Sequence, residues 1–235
     1  MRTTILISFI FILTNYSVGQ TKRQIIIPTY RTTADTTLWY KWKIELGDKL
    51  KLPRLINSVD TFHFRFWTDG QAVDVWTSDY KSFSGLLTNY TDTYEKFDME
   101  KQTSKPSKTI SNQVKLDTSL TRQAFELIKT IIEIPSEHSI KNWQDWQDGE
   151  TFLTETSTST KYVFNSYGNP SSQINVPEAK IIQAFVDKIY VLLNLRIIYA
   201  KFFDTLPPGA YTSDHFGITT KLTPKQARKL KRRMK

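Results

Sequence analysis

Histidine and carboxylate side chains are the groups of this chain that could perform acid–base or metal chemistry. The sequence has three histidines, His63, His138 and His215. No two of them are close in sequence and no HExxH or HxH spacing occurs, so we predict no metal site and no cofactor. Glu137-His138 and Asp214-His215 are adjacent acid–base pairs in predicted loops, an arrangement that is common by chance. A metal site assembled from all three histidines in the folded chain is the weaker alternative.

Carboxylates recur on the predicted strands and turns, and two of them could hydrolyse a glycoside. Glycosidases need a pair about 5–10 Å apart, which one face of a strand pair can supply. Asp74 lies between two valines in a predicted strand, whereas Asp69 and Asp79 are explained as turn residues. Nothing in the sequence selects a pair, so a secreted hydrolase that uses Asp or Glu with His is an alternative to the leading hypothesis. The carboxylates considered are Asp60, Asp69, Asp74, Asp79 and Glu155.

Motifs for other catalytic chemistries are missing from the sequence. There is no GxSxG nucleophile elbow, no GxxxxGKS/T phosphate loop and no GxGxxG dinucleotide loop. The chain has no cysteine, which excludes thiol catalysis, disulfide exchange and cysteine-ligated metal centres. We therefore expect a non-catalytic protein that binds a partner or has a structural role.

Aromatic side chains next to these carboxylates predict a binding face. The phenylalanines of the run 62–66 alternate with other residues, and we expect them to face the core. The opposite face would then carry an arginine and two tryptophans, with Trp76 beside Trp67 across a turn. If exposed, this face could stack a glycan or hold a protein partner; if helices cover both faces of the sheet, its residues are structural. The candidate binding residues are Arg65, Trp67, Asp74 and Trp76.

An antiparallel sheet has to position these side chains. The stretch from Phe62 to Tyr94 contains three aromatic and β-branched runs, and Asp69-Gly70 between the first two is a strong turn signal. We predict a meander there, and a second hairpin unit from residues 150–157 and 160–167. A further strand is predicted at residues 109–116 by the same alternation.

Two amphipathic helices are predicted to pack on this sheet, over residues 120–133 and 177–194, where apolar residues recur at three and four. Alternation predicts a strand at residues 38–46, although Leu38, Trp42 and Leu46 are also spaced as on a helix. After the second helix we predict a strand at residues 196–203, with continuation of the helix past Asn194 as the alternative. The predicted fold class is α+β: an antiparallel meander sheet from two hairpin units, packed by two amphipathic helices, with a short basic C-terminal helix.

Residues 1–20 have the pattern of a signal peptide. Arg2 precedes an apolar run from Ile5 to Leu13, and small residues at 17 and 19 predict cleavage before Gln20. The run is too short to be a transmembrane span. Together with the missing cysteines, this predicts an exported protein of the bacterial envelope, periplasmic or extracellular. In being cysteine-free and rich in Thr, Ser and Tyr, the chain resembles Gram-negative envelope proteins, a resemblance that implies no functional residues.

The formal net charge of +9 is concentrated at the C-terminus. Residues 221–235 carry eight Lys or Arg and no acid, so the α+β domain predicted over residues 21–220 is neutral and is not expected to bind nucleic acid. The basic tail could bind anionic lipid headgroups, lipopolysaccharide phosphates or nucleic acid, or it could be a solvated, frayed end. Its candidate residues are Arg228, Lys229, Lys231, Arg232 and Arg233.

Overall fold

The computed structural model describes residues 23–29, 36–94, 107–145, 149–212 and 217–233. The predicted signal peptide, the loop after Tyr94 and His215 lie outside the described residues. The strands are β1 (Gln24–Ile26), β2 (Phe62–Thr68), β3 (Gln71–Thr77), β4 (Ser84–Thr93), β5 (Thr109–Lys115), β6 (Thr151–Thr158), β7 (Lys161–Gly168), β8 (Gly209–Thr212) and β9 (Ile218–Lys221). The α-helices are α1 (Leu38–Lys49), α2 (Thr118–Ile128), α3 (Pro177–Leu192), α4 (Leu195–Thr205) and α5 (Pro224–Arg233).

All nine of these strands belong to one sheet, in the order β1-β7-β6-β2-β3-β4-β8-β9, with β5 paired to β4. Every pairing is antiparallel except that of β1 with β7. The predicted α+β class with an antiparallel sheet is confirmed. Strand β2 has β3 on one side and β6 on the other, so its side chains lie in the middle of the sheet.

The turn between β2 and β3 depends on Gly70. Thr68 pairs with Gln71, and Gly70 has a φ of +68°, in the left-handed region that favours glycine. A Cβ atom there would lie 2.5 Å from Cε2 of Tyr199, because α4 packs over the turn. This register places Trp76 opposite His63, so the expectation that Trp76 lies beside Trp67 is wrong.

We expect Gly70→Ala to lower the free energy of unfolding by about 1–3 kcal/mol, because alanine is strained at this φ and its Cβ meets the Tyr199 ring. The matched control is Gly47→Ala within α1, where the added Cβ has only an ordinary contact, 4.0 Å from Cη2 of Trp67. That change should stabilise by about 0.5–1 kcal/mol, since glycine is a poor helix former. Urea unfolding of both variants measures the two effects, and equal values would contradict the geometry.

The phenylalanine face of β2 packs against α2 and α3. Phe62 meets Phe125 of α2 with ring centroids 5.2 Å apart, and Phe66 meets Phe185 of α3 at 5.3 Å, both edge to face. Isoleucine and valine side chains from α2, α3 and β3 complete this cluster. Because edge-to-face rings and buried aliphatic chains leave little space between them, this face belongs to the main core.

Helix α1 covers the opposite face of the sheet, so the strand predicted at residues 38–46 is wrong. Lys43 and Gly47 of α1 are buried, and Tyr40 packs edge to face on Phe164 of β7 at 5.2 Å. The alternation suggested that Tyr40 and Trp42 share one buried face of a strand, but Trp42 points outwards and is 42 % exposed. The helical alternative is confirmed, but of Leu38, Trp42 and Leu46 only Leu46 packs against the buried cluster.

The strand predicted at residues 196–203 is also wrong, since these residues belong to α4. Asn194 has a φ of +50° and ends α3, and the chain then starts a second helix. Leu195 and Phe202 of α4 are buried, seven residues apart, which is two helical turns. A continuous apolar run does not distinguish a buried strand from a buried helix, so packing decides.

Candidate functional site

Three of the four residues predicted to bind a ligand on the second sheet face are buried. Arg65, Trp67 and Asp74 are 1–2 % exposed, and Trp76 is partly exposed. Leucines from residues 50–55 and the aromatic side chains of α1 form an apolar layer over them. Of the two alternatives that the sequence left open for this face, the burial of these three side chains fits the covered one, because none of their surface remains for a ligand.

The sheet register places Arg65 between two carboxylates. Arg65 of β2 lies directly opposite Asp74 of β3 and Glu155 of β6. Its Nε donates to Asp74 Oδ1 at 2.8 Å, and its Nη1 lies 3.6 Å from Glu155 Oε1. Burial alone would lower the pKa of Arg65, but the two carboxylates outweigh it and the pKa rises. The guanidinium is therefore a permanent buried cation that balances two buried carboxylates.

Asp74 is shared between Arg65 and His63. Nε2 of His63 lies 3.0 Å from Asp74 Oδ1, and Nδ1 lies 3.0 Å from Asp60 Oδ2. The imidazole also stacks on Trp76, with ring centroids 5.5 Å apart. Burial alone would raise the pKa of Asp74, but Arg65 and His63 outweigh it and hold the pKa below its usual range. Asp74 is therefore a carboxylate when the chain is folded.

Glu155 has a partner on each oxygen. Trp67 Nε1 donates to Oε1 at 2.8 Å, and the Tyr162 hydroxyl donates to Oε2 at 2.8 Å. Burial and the neighbouring Glu155 raise the pKa of Tyr162, so the hydroxyl keeps its proton and remains a donor. Both oxygens are thus engaged, and Glu155 cannot act as a nucleophile or a base without losing these contacts.

A buried lysine completes the covered face. Nζ of Lys43, from α1, lies 5.0 Å from the centroid of the Trp67 ring and 3.3 Å from the Tyr90 hydroxyl. The cation over the ring stabilises the contact between α1 and the sheet. We use the name buried charge network for His63, Arg65, Lys43, Asp74, Glu155, Trp67 and Tyr162.

The buried charge network has no arrangement suited to hydrolysis. Both nitrogens of His63 face carboxylates, so the imidazole has no free position to take a proton from a substrate. Asp74 Oδ2 is buried and has no hydrogen-bond partner among the described residues, which shows a closed and imperfectly satisfied interior. Asp60, with 23 % of its side chain exposed, is where the network approaches the surface.

Two members of the network, Lys43 and Tyr162, had no role in the sequence predictions, and Glu155 was considered only as one of several possible catalytic carboxylates. Glu155 is 90 positions from Arg65 in sequence, in a strand of threonines and serines, and nothing local pairs the two. The signal that could have found it is an acid flanked by threonines in the middle of a predicted strand. An acid that is buried in such a strand is almost always paired with a cation.

A groove lies at the β1 edge of the sheet. It has a volume of about 320 Å³ and is lined by residues 26–29, 132–136, 138–139, 161 and 163–165. Isoleucine, valine, proline and phenylalanine side chains form its apolar walls, and Glu133, His138 and Lys161 are its titratable groups. Glu137 behind it accepts a hydrogen bond from Ser166 Oγ at 2.8 Å, and its Oε1 lies 3.9 Å from His138 Nε2. The groove is an open concavity in which apolar and polar side chains are about equally represented.

The predicted basic-tail residues lie on α5. Arg228, Lys229 and Arg232 are exposed, and Lys231 and Arg233 belong to the same helix. Among the described residues, no group of three His, Asp or Glu side chains could hold a metal ion. In those same ranges, every helix is too short or too polar to span a bilayer.

No protein-family model matches the chain, and no curated protein matches its sequence. The features of the molecule that bear on its function are the closed buried charge network and the exposed surfaces around it.

Proposed function

We propose that the protein is an exported, non-catalytic protein of the bacterial envelope, periplasmic or extracellular, which binds a ligand or partner or has a structural role. The observation that carries the non-catalytic part is the burial of Arg65, Asp74 and Glu155 under α1. These are the side chains with the most catalytic potential in the sequence, and each of them is engaged by another.

A structural role for the network follows from its contacts. A buried ion pair with well-placed hydrogen bonds specifies one arrangement of its strands, since any other register would leave a charge unpaired in the interior. Arg65 reaches carboxylates on both neighbouring strands, so it selects β3 and β6 as the neighbours of β2. We infer that the network holds the middle of the meander in register, as part of a rigid scaffold.

The groove at the β1 edge supports the binding part of the proposal. Its apolar walls would contact the ligand, and Lys161 with Glu133 at the rim would orient a polar end of either sign. The sequence predicts a glycan or protein ligand on the aromatic face of β2 and β3. With that face covered, the groove is the surface that fits such a ligand.

The hydrolase alternative depends on the same groove. His138 lines it, with Glu137 3.9 Å away, which is longer than the hydrogen bond of a working acid–base pair. Hydrolysis of a chromogenic ester, peptide or glycoside by the purified protein, abolished in His138→Ala, would replace the non-catalytic proposal. Equal background rates of hydrolysis for the wild type and His138→Ala would support the non-catalytic proposal.

Export makes a direct prediction. When the full chain is expressed in a Gram-negative host, we expect the mature protein outside the cytosol with Gln20 as its first residue, because the apolar run from Ile5 to Leu13 directs export. Fractionation followed by mass spectrometry of the intact protein measures this. The matched control Ile10→Arg places a charge in the apolar run and should leave an uncleaved chain in the cytosol. An intact N-terminus on cytosolic wild-type protein would contradict export.

A further inference from the structure

Helix α5 concentrates positive charge on exposed surface. Residues 224–233 include six Lys or Arg and no Asp or Glu. Arg228, Lys229 and Arg232 are exposed, and none of the described hydrogen bonds or ion pairs engages their side chains. The charge is therefore free to meet an anionic partner rather than being used to hold the fold together.

The start of α5 is stabilised by its own residues. Thr223 Oγ1 accepts a hydrogen bond from the Gln226 backbone N–H at 3.2 Å, and Gln226 Oε1 accepts one from the Thr223 N–H at 2.8 Å. This reciprocal pair is a capping box, and Pro224 occupies the favoured first position. The helix can thus form without a large packed face, and its outer surface stays available.

Lys221 fixes the base of α5 to the rest of the chain. Its Nζ donates to the carbonyl oxygens of Asp204 at 2.5 Å and Leu206 at 2.6 Å, at the C-terminal end of α4. Strand β9, which ends at Lys221, pairs with β8. Because the Lys221 ammonium already donates to these carbonyl oxygens, the positive charge that remains exposed here belongs to α5. The helix begins at a fixed point on the edge of the sheet.

The sequence of α5 separates apolar from cationic positions. Its apolar residues are at 227 and 230, with Met234 next along the same spacing of three and four, which places these positions on one side of a helix. The cationic positions 225, 228, 229 and 232 fall on the remainder, and the cationic positions 231 and 233 flank the stripe. A narrow apolar stripe flanked by Lys and Arg is typical of helices that lie on membrane surfaces.

We propose that α5 binds the surface of an anionic lipid membrane, with positions 227 and 230 toward the lipid and the cations at the headgroup phosphates. Nucleic acid would also attract the charge, but it gives no reason for an apolar stripe, and the rest of the chain has no positive excess. An exported bacterial protein encounters anionic lipid membranes, so membrane binding by α5 is consistent with the proposed export. It is independent of any ligand binding in the groove.

Vesicle binding tests this with the purified full chain. We expect co-sedimentation with phosphatidylcholine vesicles that contain phosphatidylglycerol, and none with phosphatidylcholine alone. The triple change of Arg228, Lys229 and Arg232 to Gln should weaken binding by on the order of a hundredfold, since each cation near an anionic surface contributes roughly fivefold. The matched control changes Lys41, Lys49 and Lys188, which are exposed elsewhere, to Gln and should bind as the wild type does.

A second variant separates lipid from nucleic acid. Leu230→Gln keeps every charge of α5 and should still weaken vesicle binding several-fold, while leaving any binding to duplex DNA unchanged. Binding to DNA with no binding to anionic vesicles would overturn the proposal in favour of nucleic acid. No vesicle binding, or an equal loss in the Lys41, Lys49 and Lys188 control, would also overturn it. All variants have the same N-terminal residues. Any contribution of those residues to vesicle binding is therefore the same in each variant and does not affect the ratio of their affinities.

Discussion

Arg65→Met should lower the free energy of unfolding by about 3–5 kcal/mol, because it leaves Asp74 and Glu155 in the interior without their cation. Methionine fills a similar volume, so most of the loss comes from uncompensated charge and not from a cavity. Urea unfolding followed by tryptophan fluorescence measures it. The expected effect is one of the largest that a single substitution can have in this chain.

The matched control is Arg54→Met. Arg54 also forms a two-point ion pair, with Asp48, but both side chains are about half exposed and solvent screens them. Its unfolding curve should nearly overlay that of the wild type. If Arg65→Met were as stable as the wild type or more so, the network would not be structural. A strained functional site would then be the better interpretation, since functional sites commonly reduce stability.

The pH dependence of the same pair checks the electrostatic cause. The pKa of Asp74 is lower in the folded chain than in the unfolded chain, so its contribution to stability is present above the unfolded value of about 4 and is lost as the pH falls through the folded value. The difference in unfolding free energy between wild type and Arg65→Met should therefore narrow as the pH falls through the acid range. If the difference in unfolding free energy stayed constant across the acid range, the loss of stability in Arg65→Met would come from packing and not from charge.

Trp67→Ala should cost about 3–5 kcal/mol, the usual range for removing a buried tryptophan. Its ring is 1 % exposed, lies under the Lys43 cation, and meets Tyr90 edge to face with ring centroids 6.4 Å apart. The substitution also removes the indole donor to Glu155. The loss thus combines a cavity with an unsatisfied carboxylate oxygen.

Trp42→Ala is the control for this second substitution. Trp42 has the same side chain but is 42 % exposed on α1, where its main ring contact is with Trp39. We expect a small change in the urea midpoint for Trp42→Ala and a large one for Trp67→Ala. Similar midpoints for the two variants would show that the second sheet face is not covered in solution.

The turn at Asp69-Gly70 was predictable because its signal is local. A glycine with positive φ follows from the dipeptide itself, and the pairing of Thr68 with Gln71 then determines which residues of β2 and β3 share a face. Phe62 and Phe66 go to the core side and Arg65 to the other for the same reason. The exact register was not predicted, since Trp76 was expected beside Trp67, and it is this register that places Asp74 opposite Arg65.

The partners on other segments were not predictable. Glu155 reaches Arg65 only because β6 pairs with β2, and residues 38–46 are helical only because their packing on the sheet favours that period over alternation. Both are contacts between distant segments, for which a single sequence has no local signal. The sequence thus determined the faces of the sheet and the charge of the tail, while the tertiary structure decided that the charged face is closed. The physical reason is that side-chain alternation depends on adjacent residues, whereas burial depends on which distant element packs against them.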